Sequence, residues 1–597
     1  MSALLPVLGA EVLGETTRFA ALTDASRCSV RLFDEKRRAV AEHELAALGD
    51  GYFEARIAGA PHGTRYAFVV EGRELPDPYA RFLPDGVHAP AMVYTSRYHF
   101  RHEPVARPLA EHVIYELHVG TFTEQGTYAA AAERLEALVE LGVTTIELMP
   151  VAAFAGSRGW GYDGVALYAP FAPYGEPDEL RAFVDRAHGL GLAVLLDVVY
   201  NHFGPSGNYL SAYSRRYFTS EFPTPWGDAP RFADPAMRRY VLDNARYWLA
   251  EFRFDGLRLD ATHALVDPSP KHLLRELAEV VAELTPRRLL IAEDERNEPA
   301  LVTESGLDAV WADDFHHQVR VTLTRERDGY YAAYQPGAAD LARTVTRGWL
   351  YEGQPTPSGK PRGESADALS AEKFVYCIQN HDQIGNRALG DRLNHVVSVD
   401  AYLAVSLLLL LLPMTPLLFM GQEWAASSPF AYFTDHEAEL GALVTQGRRR
   451  EFAHFEAFAS EAARESIPDP QAALTFERSR LRWSERVEDE HARVLALYRA
   501  ALTLRKTDRV LRVASRSQLR AEAFGEVLLV TRCCAEDVRL IAVNFSERPV
   551  AGNEIPKIAA LASKTLLLAS HGSASAELLP PLSAVLLAGA SREGAPT

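Results

Sequence analysis

Three acidic residues stand at or near the ends of short apolar runs. Asp260 closes "FDGLRLD" (254–260), Glu293 falls near the end of "RLLIAED" (288–294), and Asp382 closes "FVYCIQNHD" (374–382). A fourth run, "LAVLLDVVYNH" (192–202), ends in Asp197, Asn201 and His202. Carboxyl groups brought together in this way suit cleavage of a glycosidic bond. A retaining cleavage needs two carboxyls about 5–5.5 Å apart, one a nucleophile and one an acid/base. The nucleophile must be ionised, and Arg258, two residues before Asp260 and on the same face of a strand, would hold its pKa down. The acid must carry a proton near neutrality, so Glu293 is expected to have a pKa raised by burial and anionic neighbours. Asp382 could fix sugar hydroxyls, and His202 and His381 could donate hydrogen bonds to them. Taken singly, each of these residues is more often a cap, a surface charge or a structural group than a catalyst. Their repetition at strand ends is what points to chemistry.

The elements that must position them alternate. "VIYELHVG" (113–120), "TTIELMP" (144–150), the three runs at 192–202, 254–260 and 288–294, then "DAVWADD" (308–314), "FVYCIQNHD" and "PLLFMGQE" (416–423) make eight candidate strands. Helical segments separate most of them, near 128–141, 178–190 and 235–251 among others. Such alternation predicts a parallel sheet, and eight units close into an α/β (β/α)8 TIM barrel with its site at the carboxyl ends of the strands. Before it, residues 1–95 read as an N-terminal β-sandwich, leaving through the proline-rich "LPDPYARFLPDGVHAP" (75–90). After it, strands return in a C-terminal β domain over 511–597. The barrel with its post-barrel helical segment is expected over 96–510. "YLAVSLLLLLLPMTPLLFMG" (402–421) has the length of a membrane span, but Pro413, Pro416 and Glu423 favour a buried helix, a turn and a buried strand.

The formal net charge of −17 over 597 residues argues against a nucleic-acid partner, which calls for a concentrated basic face. Four scattered cysteines (Cys28, Cys377, Cys533, Cys534) make neither a disulfide framework nor a zinc site. The N-terminus lacks a basic stretch followed by a full apolar segment, so a cytoplasmic location is expected, with no membrane partner and a monomeric state.

"DVVYNH", "GLRLDATH", "AED" and "QNHD", in this order, resemble the four signature regions of the α-amylase superfamily of retaining glycoside hydrolases. The resemblance implies Asp260 as nucleophile, Glu293 as general acid/base and Asp382 as transition-state stabiliser. It places Arg258, His202, His381 and Tyr162 (in "WGYDGVALYAP") around the attacked sugar. "VWADDFHH", "LLFMGQEWAASSPFAYFTDH", "GRRREF" and "PDPQAALTFERSRLRW" are similar, more narrowly, to segments of the malto-oligosyltrehalose trehalohydrolases, which cut the α-1,4 bond next to a terminal trehalose. That resemblance implies maltooligosyltrehalose and related α-glucans as substrates. Gln422 stands where that pattern usually has Glu, and "AEDERNEP" departs from the commoner "AESDLNDP". His263 is a candidate contact for the leaving-group sugars, Trp226 could stack on a sugar, and Asp314 (with Asp313) could bind sugar hydroxyls, each with a packing or capping role as the alternative. The insert at about 203–234 reads as irregular and lacks the acidic cluster of an amylase calcium site, so neither metal nor cofactor is expected. A glycogen branching or debranching enzyme, and a non-catalytic glucan-binding protein, are the rival readings.

Overall fold

The structure, a computed structural model, describes residues 7–590 apart from 225–226, 358, 455–457, 459 and 562. Eight parallel strands close into a barrel: β1 (Ile114–Leu117), β2 (Thr145–Leu148), β3 (Ala193–Val198), β4 (Gly256–Leu259), β5 (Leu289–Ala292), β6 (Ala309–Trp311), β7 (Phe374–Tyr376) and β8 (Thr415–Phe419). Each falls within, or within a residue of, one of the eight apolar runs. Most of their residues are buried, as expected when helices cover the outside of a parallel sheet and side chains fill its inside.

Local chemistry sets the ends of the elements. The helix Pro235–Glu251 starts with Pro at its first position, and the Asp234 side chain accepts from Ala236 N–H. Proline costs nothing there, because that N–H has no partner within the helix. The helix Val399–Leu411 is apolar on every face and runs into β8. From Ala401 to Leu411 it is buried on all sides, between the barrel and a C-terminal sheet whose Leu528, Ile541 and Leu586 join the same core. No helix among the described residues is long and apolar enough to cross a membrane.

The N-terminal region forms two facing antiparallel sheets. One is built from Gly9–Leu13, Thr16–Leu22, Tyr52–Ala58 and Ala46–Gly49, the other around Cys28–Phe33 and Arg65–Val70. Phe19, Val30 and Phe68 fill the space between them. The proline-rich exit lies against the barrel, where Tyr240 Oη donates to the Pro78 carbonyl at 3.1 Å. The C-terminal sheet runs in the order Leu519–Phe524, Val527–Cys534, Asp537–Asn544, Ser583–Ala590, Thr565–Ala569. The insert after β3 corrects the sequence reading. It carries a two-stranded hairpin, Phe218–Thr224 against Gly227–Pro230, rather than irregular chain alone.

Candidate active site

Arg258 is the centre of the site. It lies on β4, its side chain wholly buried, and it reaches three carboxylates. Nη1 donates to both oxygens of Asp197 at 2.9 Å and to Asp260 Oδ1 at 2.8 Å. Nη2 pairs with Glu293 Oε2 at 3.1 Å. The guanidinium face also covers the Trp311 ring at 4.3 Å. Register explains the meeting: Asp197 on β3 pairs with Arg258 on β4, and β4 pairs in turn with β5, which Glu293 follows. Asp260 and Glu293 thus leave adjacent strands at the same rim.

Both residues are pinned further. Asn201 Nδ2 donates to Asp260 Oδ2 at 2.8 Å, and its Oδ1 faces His202 Nδ1. Ala261 has φ 39° and ψ 57°, a left-handed conformation that an alanine adopts only under local strain. This turn aims the Ala261 N–H at Glu293 Oε2, 2.8 Å away. Asp294, buried beneath, accepts from Thr262 Oγ1 at 2.7 Å and from Arg296 Nη2 at 2.6 Å. The unusual "AEDER" segment therefore ties the β4 and β5 rims together.

The two carboxyls titrate in opposite directions. Burial pushes the Asp260 pKa up, but Arg258 and the Asn201 hydrogen bond outweigh it and leave the group below the usual carboxylate range. At Glu293 burial wins: helped by Asp260, Asp382 and Asp313, it raises the pKa to about 8 against the pull of Arg258. One group is ionised and the other protonated at neutral pH. Arg258 holds both carboxylates through the two amino arms of one planar guanidinium.

Asp382 lies in the first turn of the short helix His381–Gly385 after β7. Its side chain is 35% exposed, against 19% for Glu293 and 12% for Asp260. It is the most accessible of the three. Tyr162 and His381 stack, with ring centroids 5.0 Å apart, and Tyr162 Oη donates to Asp197 Oδ2 at 2.6 Å. His202 Nε2 faces the Tyr162 carbonyl at 3.0 Å. The structure thus gathers Tyr162, Asp197, His202, Arg258, Asp260, Glu293, His381 and Asp382 at one end of the barrel.

Other candidates fare differently. His263 is exposed on the turn Thr262–Ala264 beside Asp260. Asp313 keeps a side chain 20% exposed, with His316 Nε2 at 3.1 Å. Asp314 corrects the expectation of a sugar contact: it is fully buried. Its Oδ1 accepts from Tyr334 at 2.7 Å, and its Oδ2 from Asn297 at 2.9 Å and the Leu350 N–H at 2.7 Å. Trp226 lies outside the described residues. Gln422 is buried, accepting from the Phe419 N–H and donating to Tyr498 Oη at 3.1 Å. A glutamate there could not donate without a proton, so the amide suits this pocket.

Sequence reasoning missed Glu116 and Glu147, both wholly buried below the rim. The signal was available: each is a lone acid inside an apolar strand run, "YELH" and "IELM".

The chain matches the family model for the alpha amylase catalytic domain over residues 114–225. A malto-oligosyltrehalose trehalohydrolase from Deinococcus radiodurans is 51% identical over 579 residues, covering 95% of this chain and 94% of that protein. This chain belongs to the malto-oligosyltrehalose trehalohydrolase family. A second trehalohydrolase, from Saccharolobus solfataricus, is 40% identical over 78% of this chain and 81% of its own length. The crystal structure of a Salmonella typhimurium protein described as an alpha amylase superposes with a TM-score of 0.89 at 37% identity, covering 98% of this chain and all of that one. The fold of this trehalohydrolase family member is the α-amylase barrel with additional β sheets at both ends.

Proposed function

We propose that the protein hydrolyses the α-1,4 bond next to the terminal trehalose unit of maltooligosyltrehalose, with retention, releasing trehalose and a maltooligosaccharide. The observation that carries the chemistry is the Asp260–Glu293 pair, held by one guanidinium in opposite protonation states. Protonated Glu293 gives its proton to the bridging oxygen as the bond to trehalose breaks. Asp260, ionised beside Arg258, attacks the anomeric carbon from the other face and forms a glycosyl ester. Glu293, now anionic, is stabilised by Arg258 and the Ala261 N–H until it takes a proton from the incoming water. That water displaces Asp260 and restores the α configuration. Asp382 accepts hydrogen bonds from the hydroxyls of the attacked sugar, and the Tyr162 ring lies along that sugar's other side. It is fixed from behind by His381, whose buried ring nitrogens are both engaged by Tyr162 and Glu116 and so give no direct sugar contact.

The names of the relatives support the trehalose end as the leaving group. His263 and Asp313, on the open rims after β4 and β6, are the residues that contact it. The protein works as a cytoplasmic monomer in this reading. Incubation with maltotriosyltrehalose tests the proposal. Chromatography should show trehalose and maltotriose as the first products, and NMR should show maltotriose formed as the α anomer. A β anomer overturns the mechanism, and products without trehalose overturn the substrate.

A further inference from the structure

Glu116 enters the site from below, and no step above uses it. It lies on β1, wholly buried, and its carboxylate holds His381 twice. Oε1 faces His381 Nδ1 at 2.5 Å, and Oε2 accepts the His381 backbone N–H at 3.1 Å. The other face of the ring is engaged as well, with His381 Nε2 2.7 Å from Tyr162 Oη. Tyr162 has one hydroxyl proton and spends it on Asp197. Its oxygen can then only accept from His381, which requires a proton on Nε2. Nδ1, facing a carboxylate, requires another.

We propose that Glu116 is a positioning residue that keeps His381 doubly protonated, locking Tyr162 and the Asp382 turn in place around the sugar. This role rests on the hydrolytic reading only for its consequence in turnover; the protonation itself is a property of the free protein.

The charged surroundings agree. From the neighbouring elements His381 is faced by Glu116 on β1, Glu147 on β2, Asp197 on β3, Arg258 on β4, Tyr162 above and its own neighbour Asp382. Trp160 and Trp311 pack against the ring. His118, also nearby, is pushed down to about 4 by burial and is neutral. Glu147 has no hydrogen-bond partner on either oxygen, and burial and the adjacent Glu116 raise its pKa far above the usual range. It is therefore uncharged and makes no contact with the ring, and Glu116 is the acid that touches Nδ1. Burial disfavours a charged imidazole, but Glu116 and Asp382 outweigh it and bring His381 to about 9.

The test is NMR of histidine labelled with 15N in the ring, with the His381 signal identified by its loss in His381→Gln. In the native protein both ring nitrogens should be protonated at pH 7.5. In Glu116→Gln, which keeps the shape and an acceptor for the backbone N–H, the His381 pKa should fall by at least about one pH unit. In the native protein Glu293, at about 8, sets the alkaline limb of kcat/KM on maltotriosyltrehalose. In the variant that limb should move down once His381 titrates below Glu293, so that lowering the pH restores activity. A singly protonated His381 in the native protein at pH 7.5 overturns the proposal, even if the variant does not fold. So does an unchanged His381 titration in a folded Glu116→Gln. Failure of the trehalose reading would appear in the products and leave the NMR result intact.

Discussion

Two strand ends of the barrel, β4 and β6 on either side of β5, carry an aspartate beside an arginine, and they serve opposite ends. After β4, Asp260 meets Arg258 and Asn201 and keeps a side chain 12% exposed toward the pocket. After β6, Asp314 meets Arg362 at 3.3 Å, with Tyr334, Asn297 and two backbone N–H groups filling its oxygens and no surface left open. Position at the rim does not by itself make a reactive group. A carboxylate with free acceptor capacity facing a pocket can attack a substrate. One whose lone pairs are all spent joins two loops instead.

The largest effect should separate these two ends. Asp260→Asn removes the nucleophile and is expected to lower kcat by about 10⁴-fold or more, with a smaller fall in melting temperature than Asp314→Asn, because Arg258 keeps Asp197 and Glu293 as partners. Steady-state kinetics beside thermal unfolding check both. If Asp260→Asn keeps more than about a hundredth of the activity, the comparison breaks.

The next effect comes from pH. Activity needs Glu293 protonated, and its pKa is raised, so kcat/KM should fall as pH rises through about 8. Above that pH the loss approaches tenfold per unit. Asp260 is shifted the other way, so no limb belonging to it should appear between pH 5 and 7. A pH profile of kcat/KM decides; an alkaline limb below pH 6 would mean that Glu293 is not the acid.

Selectivity follows. A site that hydrogen-bonds the hydroxyls of a trehalose unit is left with unpaired polar groups by a maltose end. We expect kcat/KM for maltotriosyltrehalose to exceed that for maltopentaose by at least about tenfold, or ~1.4 kcal/mol. Equal values would return the rims after β4 and β6 to a general amylase role. The smallest catalytic effect belongs to Asp314→Asn, expected to change kcat per folded molecule by less than about threefold. Its cost is stability: breaking a buried ion pair loses about 3–5 kcal/mol and should lower the melting temperature by several degrees.

The contrast also shows what could be read without a structure. The eight strands were legible because a parallel strand covered on both faces must be a continuous apolar run. Asp260, Glu293 and Asp382 stood out because polar groups ending such runs fall at one rim. Asp314 was not separable from them, because its burial depends on Tyr334, Asn297 and the backbone at 350, which fold over it from elsewhere in the chain. Glu116 and Glu147 were passed over because a charge within a strand gains meaning only when closure of the barrel brings β1 beside β8 and under His381. The hairpin in the insert was hidden because Pro223 and Gly227 break its alternation.

The most direct test of the central claim, that Asp260 rather than any other rim acid forms the bond to sugar, is to trap that bond. A fluorinated α-maltosyl fluoride destabilises the oxocarbenium-like transition state and carries a leaving group that needs no acid. In Glu293→Gln, which also lacks the base for the second step, the glycosyl ester should accumulate. Peptide mass spectrometry is predicted to find the added sugar mass on Asp260, and no adduct in the double variant Asp260→Asn, Glu293→Gln. Label on Asp382 or Asp197, or an adduct that survives Asp260→Asn, would contradict the account.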